Sequence, residues 1–387
     1  PHRSRRGQDR GSADRVASSR RAPRRHKRGE DCQWLSLLLG ADKTRSPPSV
    51  REEGVPMAIL SKQFKDALSM IEPGVDAAHA AEAHTEVRGY LERNAELSDW
   101  GLHTVLIGSY EREVSIRRVK DVDVFCELED LPASTDPQEL LDKFVDLLTD
   151  EYDERVCKND RSVKVEFPDY DMHVDLVPAR YVSGVWEIPD KDGGWEATHP
   201  VRFGELTTSR NGDHDGHYVR IVKLLRQTRR ALLGDAKPGG LFIEVAAYHA
   251  FADIPNADSA NAPGSTAEYY TVALETMAPI LRAHAQGSGP LMNPALPNQQ
   301  LHVRATQVEL DAVAEAWEQA AVDARAALET GDEQQAARTF KRLLGQNSDG
   351  DDVFTVPAAS AAAAQSAAAA VAAGHRKLPS GDSPNFA

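Results

Sequence analysis

The sequence predicts an α+β fold, with strands in its first half and a helical C-terminal domain after them. Three observations carry this. Short apolar or alternating runs, broken by Gly, Pro and Asp, fall between residues 103 and 177, as expected of strands. From residue 217 the apolar residues recur at helical spacing. A chain of 387 residues with 41% hydrophobic content can hold one large domain or two closely joined ones.

The elements follow in order. Met57-Ala-Ile-Leu-Ser-Lys-Gln-Phe64 reads as the start of a helix. His103-Thr-Val-Leu-Ile107 is a buried strand that Gly108-Ser109 breaks into a turn. Asp121-Val-Asp-Val-Phe-Cys-Glu-Leu128 is a strand with Asp121, Asp123 and Phe125 on one face and Val122, Val124 and Cys126 on the other. Ser162-Val-Lys-Val-Glu-Phe167 alternates as a half-buried strand and turns through Pro168-Asp-Tyr-Asp171. Met172-His-Val-Asp-Leu-Val177 is an apolar strand interrupted by Asp175. His217 to Arg230 spaces Val219, Val222, Leu224 and Leu225 as a helix with a basic face. Residues 253–266 read as a loop between helices.

The three aspartates are the candidate site. Carboxylates two apart on a strand share a face, so Asp121 and Asp123 can hold a metal together. A strand facing a core would place apolar residues there, because an unpaired buried carboxylate is costly. Two metals about 3.5–4 Å apart clamp the attacking and leaving oxygens of an in-line displacement at phosphorus. A Gly-Ser turn, an Asp-x-Asp strand and a third Asp on a later strand, in that order, point to nucleotidyl transfer.

Leu106 through Val124 resembles the signature of the cyclic GMP-AMP synthase/DncV-like nucleotidyltransferases (CD-NTases), the cyclic-oligonucleotide synthases of anti-phage CBASS operons. Ser115-Ile-Arg117, between the Gly-Ser and the Asp pair, favours this branch over nucleotidyltransferases with a shorter link. Glu113-Val114 stands where the family commonly has Gly-Thr. The similarity runs from about residue 57 to 345 and includes a closing helical hairpin over 326–345. It implies a polymerase-beta-like nucleotidyltransferase core with a mixed sheet, and a helical domain that completes the cleft. It implies catalytic, metal-holding roles for Asp121, Asp123 and Asp175. Gly108 and Ser109 would hold nucleotide phosphates, with Lys223 adding charge from its helix. Gly239 to Phe251 resembles the helix behind the site. The cofactor implied is Mg2+, with Mn2+ as the alternative, and the substrates are ribonucleoside triphosphates such as ATP. A downstream effector would read the cyclic product in the cytoplasm. The competing readings are transfer of a nucleotide to RNA, protein or a small molecule, and a nucleotide-binding module without activity.

The domain boundaries expected are 1–56, a disordered basic leader; 57–200, the core with its N-terminal helix; 201–347, the helical domain; and 348–387, an alanine-rich linker and tail. Residues 1–56 hold 14 Lys and Arg against 7 acids, about +7. They read as sequence upstream of a natural start at Met57, a basic tail being the alternative. With −15 for the whole chain, the remainder carries −22. That balance disfavours a template nucleic acid, whose binding depends on neutralised phosphates. Cys32, Cys126 and Cys157 form no metal-spaced pair and suit a reducing compartment. No apolar run approaches the roughly 20 residues a membrane span needs. Asn211 to His217 gathers two histidines and two aspartates, either a metal cluster or, more simply, a turn whose Asp and Gly residues cap the next helix. Tyr110 could stack on a base or pack beside the turn, and Trp195 to Pro200 is placed near the cleft by family analogy. By the same analogy, the tail ending at Ala387 would be a substrate for conjugation by operon-encoded regulators.

Overall fold

The structure, a computed structural model, describes residues 60–358 apart from residue 297. The expectations for the leader, for Cys32 and for the tail beyond residue 358 lie outside the described residues.

Two helices come first. In α1 (Ser61–Ile71) Phe64, Ala67 and Ile71 form a buried stripe, as an amphipathic helix requires. In α2 (Val75–Glu92) Ala80, Ala83, Val87 and Leu91 do the same. After the short α3 (Ala95–Asp99), capped by the Asn94 side chain, the chain enters the sheet through β1 (Leu102–Ile107). Gly108 opens one helical turn, α4 (Gly108–Glu111), and β2 (Asp121–Leu128) returns. Pro137 sits in the first turn of α5 (Pro137–Tyr152), where its missing N–H costs nothing, and Asp136 caps it. The remaining strands are β3 (Val156–Lys158), β4 (Val163–Phe167), β5 (Met172–Val182), β6 (Val185–Pro189) and β7 (Trp195–Thr198). Then come α6 (Pro200–Asp213), α7 (His217–Leu233), α8 (Gly240–Ala250), α9 (Thr266–Ala285), α10 (Gln307–Glu329) and α11 (Glu333–Leu344).

The strands make one mixed sheet in the order β1-β2-β5-β4-β3, with β6 on β5 and β7 on β6. β2 and β5 run parallel, and the other named pairs are antiparallel. Val122, Val124 and Cys126 of β2, with Val174 and Leu176 of β5, pack with the apolar stripe of α2 and with Leu141, Phe144 and Leu148 of α5 in one core. That leaves the other face of β2 and β5 for the aspartates. No described helix is long and apolar enough to cross a membrane.

A second core joins the helices α7 to α11, and α1 belongs to it rather than to the sheet. The first helix, expected with the core over residues 57–200, thus packs mainly with the helical core. The Phe64 ring meets Tyr270 of α9 at 5.9 Å, Phe340 of α11 at 4.9 Å and Phe354 at 5.0 Å. Such edge and tilted contacts hold large apolar surfaces at fixed geometry. Phe354 and Val353 are fully buried, so the segment beyond residue 347 is packed in the helical core and is not linker as far as residue 354. The hairpin α10–α11 turns at Gly331, whose φ is 63°.

The Asn211 to His217 cluster resolves into a helix junction. Asn211 to Asp213 form the last turn of α6, and Gly216 begins α7 with φ 74°. The side chain that caps α7 is Asn211, whose Oδ1 accepts from the Val219 N–H at 3.0 Å, not an aspartate. So short a junction folds the end of α6 directly over the start of α7.

Candidate active site

Pairing brings the predicted carboxylates together. Ile107 of β1 pairs with Asp123 of β2. Asp123 in turn pairs with Asp175 of β5, and Asp121 with His173. Asp121 is exposed, while Asp123 and Asp175 are half-buried. Gly108 lies against Asp123 with φ 80°, where a side chain would run into its carboxylate. Glycine is needed there both for the left-handed backbone and for that close approach.

The electrostatics follow from crowding three acids on one face. Burial, with Asp121 and Asp175 beside it, pushes the Asp123 carboxyl up to about 7. His173 Nε2 lies 3.3 Å from Asp175 Oδ2, and that hydrogen bond is the main reason its imidazole is raised above the usual histidine range. Asp175 Oδ1 also accepts from Ser162 Oγ at 3.2 Å and Asn159 Nδ2 at 3.3 Å. Among the described residues, no three His, Cys, Asp or Glu side chains stand ready as a metal-holding set. The three aspartates share a face, and Asp175 is held by protein partners. Their oxygen donors suit Mg2+, and the elevated Asp123 carboxyl is what a cation would relieve.

The Gly-Ser turn is braced from within. The Ser109 carbonyl accepts from the N–H groups of Val114 and Ser115 at 3.0 and 3.1 Å, and the two serine hydroxyls lie 3.0 Å apart. Glu113, in the place where glycine is common, adopts φ 58°, so the loop keeps a left-handed residue without a glycine to fill it. Tyr110 takes the packing alternative, donating its hydroxyl to the Ala77 carbonyl at 3.2 Å.

Lys223 is elsewhere engaged. It is buried, and its Nζ lies 2.8 Å from both carboxylate oxygens of Glu72, in the connection between α1 and α2. The basic face expected of α7 is therefore largely turned into the protein. Arg226 meets Glu244, Arg229 reaches the Gly234 and Pro238 carbonyls, and Arg230 donates to the Arg117 carbonyl. Arg220 is exposed. Trp195 to Pro200 serves structure: Trp195 stacks under Arg180 at 4.0 Å, Glu196 pairs with Arg161, and His199 caps α6.

Sequence reasoning missed Ser162, Asn159 and His173 as partners of Asp175, and Glu244 as the acceptor for Arg112. The signal for Glu244 is an acid in the otherwise apolar run Leu241 to Ala247.

Known proteins resemble the chain in its sequence and in its fold. Residues 57–211 match the Second Messenger Oligonucleotide or Dinucleotide Synthetase (SMODS) domain. A cyclic AMP-AMP-AMP synthase from an Acinetobacter species is 33% identical over 195 residues, which cover 47% of this chain and 56% of that protein. The match thus spans just over half of that curated relative. Among solved structures, E. coli MS115-1 CdnC in its HORMA-deltaN complex superposes with a TM-score of 0.58 at 19% identity, covering 76% of this chain and 98% of that one. The Bradyrhizobium diazoefficiens CD-NTase CdnG, solved with GTP, gives 0.56 at 18% identity over 74% and 97%. Vibrio cholerae DncV, a cyclic AMP-GMP synthase, gives 0.51 at 11% identity over 77% and 89%. These structures share the fold of this chain, including its helical C-terminal part.

Proposed function

We propose that the chain condenses ribonucleoside triphosphates into a cyclic di- or trinucleotide second messenger, releasing pyrophosphate, in anti-phage defence. The observation that carries this is the pairing of Asp123 with Asp175, with Asp121 two residues away and Gly108 against Asp123. The SMODS match and the similarity to a cyclic AMP-AMP-AMP synthase support a free nucleotide as the acceptor. The acidic body does the same, since it disfavours a nucleic-acid partner.

In each step a ribose hydroxyl oxygen of one nucleotide bonds to the α-phosphorus of the next. The bond to the β-phosphate oxygen breaks, pyrophosphate leaves, and the hydroxyl proton passes to solvent. Asp121, Asp123 and Asp175 would hold Mg2+, which supplies charge stabilisation and hydroxyl activation when bound. The Gly108-Ser109 turn, braced through Ser115, orients the donor phosphates. His173, Ser162 and Asn159 fix the Asp175 carboxylate. Catalysis is then largely positioning and charge stabilisation. The reaction would take place in the cytoplasm, where nucleotides are available.

Incubation with labelled ribonucleoside triphosphates and magnesium, with no other acceptor, tests this by chromatography and mass spectrometry. A cyclic product is expected. Label found only on added RNA, protein or a small molecule would favour a different nucleotidyl transfer, and binding without pyrophosphate release would favour an inactive module.

A further inference from the structure

The joint between α6 and α7 holds a group of polar side chains that nucleotidyl transfer does not use. His214 follows the last turn of α6 and is fully buried. Its ring stands perpendicular to Phe251 at 4.9 Å and to Tyr269 at 6.0 Å. His217, which opens α7, stacks flat on Tyr269 at 4.3 Å, and Tyr218 meets Phe251 at 5.0 Å. Among the described residues neither His214 nitrogen has a hydrogen-bond partner, and His217 Nδ1, Tyr218 Oη and Tyr269 Oη have none either.

A ring so placed fits only while neutral. An imidazolium carries two N–H donors and a charge, and a buried charge without partners is costly. Burial first, then Arg210 and His217, hold the His214 imidazole below its ordinary value of 6.5. Asp213 and the Phe251 carbonyl favour the charged form. Asp213 is exposed, however, and that carbonyl already accepts from Arg210 Nη1 at 3.3 Å. On α7, Arg220 opposes the charging of His217 and Asp215 favours it. From α9 the joint receives the Tyr269 ring and its uncharged hydroxyl.

The placement of α6 bears on the active site. This helix is the link from β7 into the helical core. Near its start, Phe203 lies 4.7 Å from the Arg112 guanidinium. Gly204 packs so closely on Glu111 that a Cβ there would lie 3.0 Å from the carboxylate. Arg112 in turn follows the Gly-Ser turn. Its N–H donates to the Gly108 carbonyl at 3.3 Å, and its Nε to the buried Glu244 at 2.5 Å.

We propose that His214 is a pH-sensitive latch on the α6–α7 joint. Neutral, it packs with Phe251 and Tyr269 and keeps the joint closed. Protonated, it leaves that packing for water, the joint opens, and α6 loses the hold that keeps Phe203 on Arg112. Nucleotide turnover then falls in acid. Only this last consequence rests on the nucleotidyl-transfer reading; the latch itself does not.

The test compares the full wild-type chain with His214→Phe, a ring of similar shape that cannot titrate and gives up no hydrogen bond. The unfolded chain takes up the proton near 6.5 and the folded joint only at lower pH. The joint is therefore at full strength above about 6.5 and weakens as pH falls below it. His214→Phe should melt at or above wild type at about pH 7.5, and its advantage should grow towards about pH 5. Amide exchange over residues 211–219, read by mass spectrometry, should accelerate in acid in wild type relative to the variant at the same pH. Equal pH dependence in the two proteins, or acceleration spread evenly over the chain, would overturn the latch. His214→Met serves the same comparison if phenylalanine overpacks the site. His217→Phe should keep the wild-type response, and loss of the response there alone would overturn the assignment to His214. Pyrophosphate release from ATP should fall further in acid in wild type than in His214→Phe. An unchanged ratio beside a confirmed opening would overturn the coupling to the site. A chain that never forms cyclic product sinks the synthase reading, while melting and exchange still decide the latch.

Discussion

Asp123 on β2 and Asp175 on β5 are direct partners in the parallel pair of the sheet, on the face turned away from the α2–α5 core. Two acids at one register position, with Asp121 beside them, are tolerable only if something offsets their charge. The Asp123 carboxyl, pushed up to about 7, records that unrelieved repulsion and burial.

This gives a pH signature. The folded carboxyl sits near 7 against an ordinary value of 3.8, so the folded state holds the proton more tightly than the unfolded chain. Between those values the unfolded chain ionises first, and the contribution of Asp123 to stability falls as pH rises, then levels off above about 7. Asp123→Asn removes that penalty. In metal-free protein its melting temperature should gain on wild type as pH is raised from about 4 to about 7, while the stabilisation that magnesium gives wild type near pH 8 should shrink. A gain that declines with rising pH would contradict the account.

The Gly-Ser loop carries a second prediction. Glu113 holds φ 58°, a conformation that costs a residue with a Cβ about 1–2 kcal/mol. Glu113→Gly should hold or raise the denaturation midpoint, glycine's larger unfolded-state entropy cancelling part of the gain. Glu113→Val, branched at Cβ, should lower it. Urea titration of the three proteins decides the order, and a valine variant as stable as wild type would show that the loop is not constrained as described.

A third concerns the segment after α11. Phe354 is fully buried against Phe64 and Phe340. Phe354→Ala should cost about 3–5 kcal/mol, read from chemical denaturation. A loss below about 1 kcal/mol would mean that the segment is not part of the helical core.

The aspartates were legible because a strand's two-residue period exposes an acid on a face that should be apolar, and the Gly-Ser break because glycine ends β1 at Ile107. Partnership was not legible. The apolar stripe of α1 says that one face is buried, and nothing local says that Tyr270 and Phe340 cover it. Lys223 and Glu72 are 151 positions apart, so a lysine on a helix reads as free until the fold brings its acid to it. Val353 and Phe354 stand alone in a polar stretch, without the period that would mark them as core. The short strands β6 and β7 likewise lack a clean alternation, with Glu187 and Glu196 facing other side chains.

The most direct measurement pairs the wild-type chain with the Asp121→Ala, Asp123→Ala double variant. Each is incubated with ATP, GTP, CTP and UTP and magnesium, and the products are resolved by chromatography and mass spectrometry. The account predicts a cyclic oligonucleotide and pyrophosphate from wild type, and neither from a double variant whose circular dichroism is unchanged. Full activity in that variant would contradict it.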